Sequence, residues 1–123
     1  MADRNYKPGA MCIEKGTIKL YGQALVTGGE GEITDDSKGF SMTPEGSGRY
    51  RITLEDNYND LRNLTGVVVG AADGGRMVHV ATQDVQNGDI LIEWLDELGA
   101  VEDVPQGSTF YIEITLKNST VDY

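Results

Sequence analysis

The sequence predicts an all-β fold, an antiparallel β-sandwich or barrel of jelly-roll-like type with one short helix, on three observations. Apolar residues recur at period two in several segments, most clearly over residues 108–117. Sixteen glycines fall largely between those segments, where tight turns use them. At 123 residues the chain has the length of one domain, long enough to bury a core without disulfide staples. The expected organisation is an N-terminal arm over residues 1–10 and a single β domain over 11–123.

Taken in order, residues 1–10 carry no periodicity, and Pro8-Gly9 reads as a turn or an extended arm. From Ile18 the apolar side alternates through Leu20, Gly22, Ala24 and Val26, with Lys19, Tyr21 and Gln23 between, so this is one bent strand or two. Short strands follow at Glu32-Ile33-Thr34 and at Phe40-Ser41-Met42-Thr43, separated by the turn residues 35–39. Arg49 to Leu54 places Tyr50, Ile52 and Leu54 on one face and Arg49, Arg51 and Thr53 on the other. Residues 55–64 are the helical candidate: Asp56 or Asn57 can cap, and Tyr58, Leu61 and Leu64 recur at intervals of three. The run Val67-Val68-Val69 and the turn Asp73-Gly74-Gly75 predict a hairpin into a strand over 76–83. Gln86-Asn87-Gly88 predicts a second hairpin into Asp89 to Leu95. In the last strand Phe110, Ile112, Ile114 and Leu116 face inward, while Tyr111, Glu113, Thr115 and Lys117 face outward.

Composition narrows the function classes. Twenty acidic against ten basic residues give a net charge of −10, which repels a phosphate backbone, so nucleic-acid binding is not expected. The excess is uneven: residues 1–76 hold nine Lys/Arg and eleven Asp/Glu, residues 77–123 one and nine. No apolar run approaches the roughly 18 residues that span a bilayer. The first twelve residues contain no signal-peptide apolar stretch, so no membrane association is expected and synthesis is placed in a reducing compartment. There the sequons Asn63-Leu64-Thr65 and Asn118-Ser119-Thr120 read as coincidence.

Residues that could carry chemistry find a structural reading. Cys12 is the one cysteine, among apolar neighbours, and cannot form an internal disulfide or a CxxC metal pair. His79 is the one imidazole; with Val78 and Val80 in the core it points outward, and no nucleophile motif accompanies it. The carboxylate doublets Asp35/Asp36, Glu55/Asp56, Asp96/Glu97 and Glu102/Asp103 fall at turns and strand ends, where they read as solvated. Residues 56–60 imitate the start of a calcium loop, but Tyr58 stands at a ligand position and Val67 where the closing Glu belongs. The glycine clusters lack the Walker and GxGxxG spacings. Trp94 alternates with Ile90 and Ile92, so it is expected in the core; a sugar-binding groove would need it, or several tyrosines, exposed together. No enzyme activity, cofactor or metal is expected.

Three segments carry a resemblance: residues 48–58 (GRYRITLEDNY), 78–85 (VHVATQDV) and 110–121 (FYIEITLKNSTV). Together they resemble small virion proteins of tailed bacteriophages, of the capsid decoration or cement type. The resemblance covers about residues 48–121 and implies a β-barrel or jelly-roll module without catalytic residues, on the exterior of an HK97-type head. It implies the major capsid protein as partner and a dimer or trimer that bridges capsomers. Within it the less acidic N-terminal part, with Arg4, Tyr6, Lys7 and Pro8, is the expected capsid contact. The alternative expectation is a carbohydrate-binding or adhesion sandwich on a phage head or tail.

Overall fold

Eight strands build the molecule in a computed structural model that describes residues 17–28, 31–46, 48–70 and 76–117. They are β1 (Thr17–Val26), β2 (Ile33–Asp35), β3 (Phe40–Pro44), β4 (Arg49–Leu54), β5 (Asp60–Val69), β6 (Met77–Asp84), β7 (Asp89–Leu95) and β8 (Thr109–Lys117). They form two antiparallel four-stranded sheets packed face to face, the first ordered β2-β1-β8-β5 and the second β3-β4-β7-β6. The antiparallel sandwich is therefore the fold. Hairpins join β1 to β2, β3 to β4 and β6 to β7 within a sheet, and the other four connections cross between sheets. The first strand lies beside the last along nine residue pairs, from Thr17↔Lys117 to Leu25↔Thr109.

Period-two alternation produces this arrangement because it gives each strand one face to bury. β7 shows it best: Ile90, Ile92 and Trp94 are buried while Asp89, Leu91, Glu93 and Leu95 are half-exposed. From the first sheet Ala24, Val26, Phe110, Ile112, Ile114 and Leu116 meet Phe40, Met42, Tyr50, Ile52, Ile90, Ile92 and Trp94 from the second. Each fully buried isoleucine or leucine there contributes about 1.5–3 kcal/mol. Phe110 is the hub, with ring centroids 5.1 Å from Tyr50 and 5.2 Å from Trp94, both tilted at 54°.

Three expectations are corrected. Residues 55–64 form no helix; the one helical turn among the described residues is a 3-10 turn at Val85–Asn87. The misleading spacing comes from a β-bulge: Leu61 pairs with Leu116 and Asn63 with Thr115, so the extra Arg62 keeps both Leu61 and Leu64 on the inner side. A three-residue interval across a bulge imitates a helical face. Second, β5 and β6 are not a hairpin but belong to opposite sheets. Third, Lys117 is buried, because the crossing segment closes over the end of β8 and the Asn59 amide donates to its carbonyl at 2.8 Å.

The carboxylate doublets are mostly exposed at turns and strand ends, as expected, and three of them also hold those turns by accepting backbone N–H bonds. Asp35 accepts from the Met42 amide (2.9 Å), Asp103 from the Gly48 amide (2.8 Å), and one Asp96 oxygen from Leu98 and Ala100 (2.8 and 2.9 Å). A short acceptor beside a turn satisfies amides that the ladder leaves over. The expected capsid contact Arg4, Tyr6, Lys7 and Pro8, and Cys12 with them, lie outside the described residues.

Candidate functional site

The outer face of the first sheet is built from alternate residues of β1, β8 and β5, and register places them in rows. Lys19, Thr115 and Asn63 form one row, Tyr21, Glu113 and Thr65 the next, then Gln23, Tyr111 and Val67, and finally Leu25, Thr109 and Val69. Seven large apolar side chains are exposed among the described residues, and five lie here: Tyr21 (58%), Leu25 (43%), Val67 (53%), Val69 (53%) and Tyr111 (42%). The concentration matters because scattered apolar residues are ordinary on any surface and a contiguous patch is not. Tyr21, Thr65, Val67, Tyr111 and Glu113 line a groove of about 340 Å³ over Gly22, Gly66 and Ile112. A second of about 170 Å³ adjoins it and adds Gln23 and Asp36.

The floor of the groove is a row of inward-facing residues, two of them glycines. Gly22 and Gly66 both pair with Ile112, one on each side. A Cβ on Gly66 would stand 2.8 Å from the Trp94 ring, and one on Gly22 2.5 Å from the Phe40 ring. Both positions must stay empty for those rings to fill the core.

The four rows carry one charged pair. Lys19 Nζ donates to Glu113 Oε1 at 3.1 Å, so the twelve residues sum to no net charge on a chain of −10. Gln23 donates to Asp36 at 3.3 Å, which fixes the polar end of the smaller groove.

The outer face of the second sheet differs in kind. Arg51 donates to Asp89 at 2.7 and 2.9 Å and to Glu45 at 3.3 Å, and these two carboxylates drive its pKa further upward. Arg49 Nε donates to Glu93 at 2.8 Å, and His79 Nδ1 lies 3.2 Å from the other Glu93 oxygen. The bond from Arg49 holds the Glu93 carboxyl below the usual carboxylate range; partial burial opposes this and His79 adds to it. His79 is exposed, as its alternation with Val78 and Val80 predicts, and its neighbour Glu93 is already bonded by Arg49.

Other sequence candidates fall elsewhere. Trp94 is fully buried, so it floors no sugar groove. Tyr58 is buried too, and burial raises its hydroxyl pKa ahead of its neighbours Asp56 and Glu55, so it is unavailable as a ligand in residues 56–60. Tyr50 donates its hydroxyl to the Gly31 carbonyl at 2.9 Å; burial, with Asp103 adding, pushes its pKa up to about 12, which makes it a core hydrogen-bond donor. Among the described residues no group of three or more His, Cys, Asp or Glu is placed to hold a metal ion, and no helix is long and apolar enough to cross a membrane. No protein family, curated protein or solved structure matches this chain.

Proposed function

We propose that this protein is a non-enzymatic structural protein of a bacteriophage virion, a decoration protein bound to the outside of the capsid and stabilising it by bridging capsomers. The observation that carries the reading is the outer face of the first sheet, where five exposed apolar side chains stand in a strip without net charge on a strongly acidic chain. Interface centres are depleted in charge and enriched in tyrosine, and this strip is both. The resemblance of residues 48–121 supplies the partner, the major capsid protein. The Arg4, Tyr6, Lys7, Pro8 arm remains the proposed capsid contact. Individually weak contacts repeated over a symmetric shell add to tight retention.

Tyr21 and Tyr111 favour a second reading, a carbohydrate-binding adhesion module. Two exposed rings border one groove, with Gln23, Asp36 and Glu113 at its ends to bond hydroxyls. Quantitative mass spectrometry of purified particles tests the first reading. A copy number equal to the major capsid protein, or a simple fraction of it, is expected; absence or a few copies would overturn it in favour of the second.

A further inference from the structure

We propose that the outer face of the first sheet is the contact between two copies of this chain. The inference deepens the reading above and rests on its claim that this face buries against protein. Charge selects the occupant. Two chains of −10 repel at any approach that brings their acidic surfaces together. The four rows holding Tyr21, Tyr111 and Val67 contain a single neutralised pair, Lys19–Glu113, and Asp36 at their edge stands 4.0 Å from Lys38, so two copies meet there with little net charge.

The outer face of the second sheet offers no such approach. Arg49 and Arg51 are already bonded to Glu93, Asp89 and Glu45, which leaves that surface charged and hydrated. A two-fold contact needs one self-complementary patch, and a two-fold axis across the strip sets the Tyr21 row of each copy against the Tyr111 row of the other and keeps the two Lys19–Glu113 pairs at opposite ends.

Area sets the strength. The five apolar side chains are each about half exposed and offer on the order of 100 Å² apiece. Two copies then bury about 1,000 Å², where specific interfaces begin, so the expected dimer is a weak one that dissociates on dilution. A dimer would also present two arms to the shell and make its attachment bivalent.

Sedimentation equilibrium of the full chain over a dilution series tests this. A monomer–dimer equilibrium is expected, tighter at higher salt, where repulsion between the two acidic chains is screened. Val67→Lys and, independently, Leu25→Lys should weaken it about tenfold or more while melting like wild type, because both positions are exposed. Thr53→Lys, on the opposite outer face, should leave it intact. A wild-type chain that stays monomeric, or a dimer that survives both strip variants, overturns the inference. If the chain is monomeric yet Val67→Lys lowers its copy number on particles, the strip belongs to the capsid protein; the inference falls and the decoration reading stands. If it is monomeric and maltopentaose shifts the Tyr21 and Tyr111 resonances, the strip belongs to a glycan and the inference falls. A dimer missing from particles sustains the inference and removes the decoration reading instead.

Discussion

Replacing Gly66 by alanine sets two effects of opposite sign against each other. Gly66 lies in β5 with no positive φ, so backbone entropy alone predicts that Ala stabilises the fold by about 0.4–1 kcal/mol. The added Cβ, however, would stand 2.8 Å from Trp94 Cη2, 2.9 Å from Ile112 Cδ1 and 3.2 Å from the Tyr111 carbonyl oxygen. The Ile112 methyl can turn away. The Trp94 ring is fully buried against Phe110, and the carbonyl belongs to the central strand, so neither yields cheaply. Overpacking of this kind costs about 1–3 kcal/mol, which exceeds the entropic gain and leaves a net loss of about 1–2 kcal/mol. For a domain of this size that lowers the melting temperature by about 4–8 °C. Calorimetry measures it, and Trp94 fluorescence should change in the same variant. Adding Ile112→Val removes one of the three crowded atoms, so the double variant should lose less than the sum of the singles. A Gly66→Ala protein as stable as wild type, or more so, would refute the packing argument and leave only the backbone term.

Two further perturbations probe the second sheet and the bulge. Because Glu93 has a folded-state pKa below its unfolded value, its bonds stabilise above the unfolded carboxylate pKa of about 4.3 and are lost as pH falls through the folded value. Wild type should thus exceed Glu93→Gln by under about 1 kcal/mol near neutrality, with the gap closing below about pH 4 in urea titrations; parallel curves would contradict this. Deleting Arg62 should join Leu61 and Asn63, already opposite adjacent residues of β8, into an unbroken ladder. Stability should shift by no more than about 1 kcal/mol with amide shifts confined to the start of β5, whereas a changed register beyond Leu64 would show that the bulge sets the pairing.

How much of the fold was legible depends on whether local alternation equals global sidedness. In β1, β4, β7 and β8 it does, and the inward sets Ala24–Val26, Tyr50–Ile52–Leu54, Ile90–Ile92–Trp94 and Phe110–Ile112–Ile114–Leu116 are buried as the pattern predicts. It fails where a residue is unpaired or a segment crosses sheets. Arg62 breaks the period in β5, and Tyr58–Leu61–Leu64 then reads as helix although Tyr58 lies in a loop whose amide donates to the Val85 carbonyl at 2.9 Å. Lys117 reads as exposed because its cover comes from residues 55–59, nearly sixty positions away in sequence. The β5–β6 turn signals are real punctuation, but a turn does not state whether the next strand pairs with the last or starts the opposite sheet.

The candidate surface was legible residue by residue and illegible as a surface. Alternation alone puts Tyr21 and Tyr111 outward, yet nothing near either predicts that Gln23 lies opposite Tyr111 or that Val67 flanks it on the far side. The inner face explains the geometry. Gly22 and Gly66 flank Ile112 because the Phe40 and Trp94 rings occupy the space where their side chains would be, and the rows immediately beside them carry Tyr21 and Tyr111 outward. Trp94 fills its space at a cost: its Nε1 is buried without a hydrogen-bond partner among the described residues, a loss of about 1–3 kcal/mol that contact with Phe110 and burial of the ring must offset. The two glycines therefore serve the inner side of the sheet, admitting the large rings, while the groove outside lies between the outward rows that carry Tyr21 and Tyr111. A substitution at either position would strain the core, so exposed positions such as Val67 and Leu25 are the ones that can separate binding from folding.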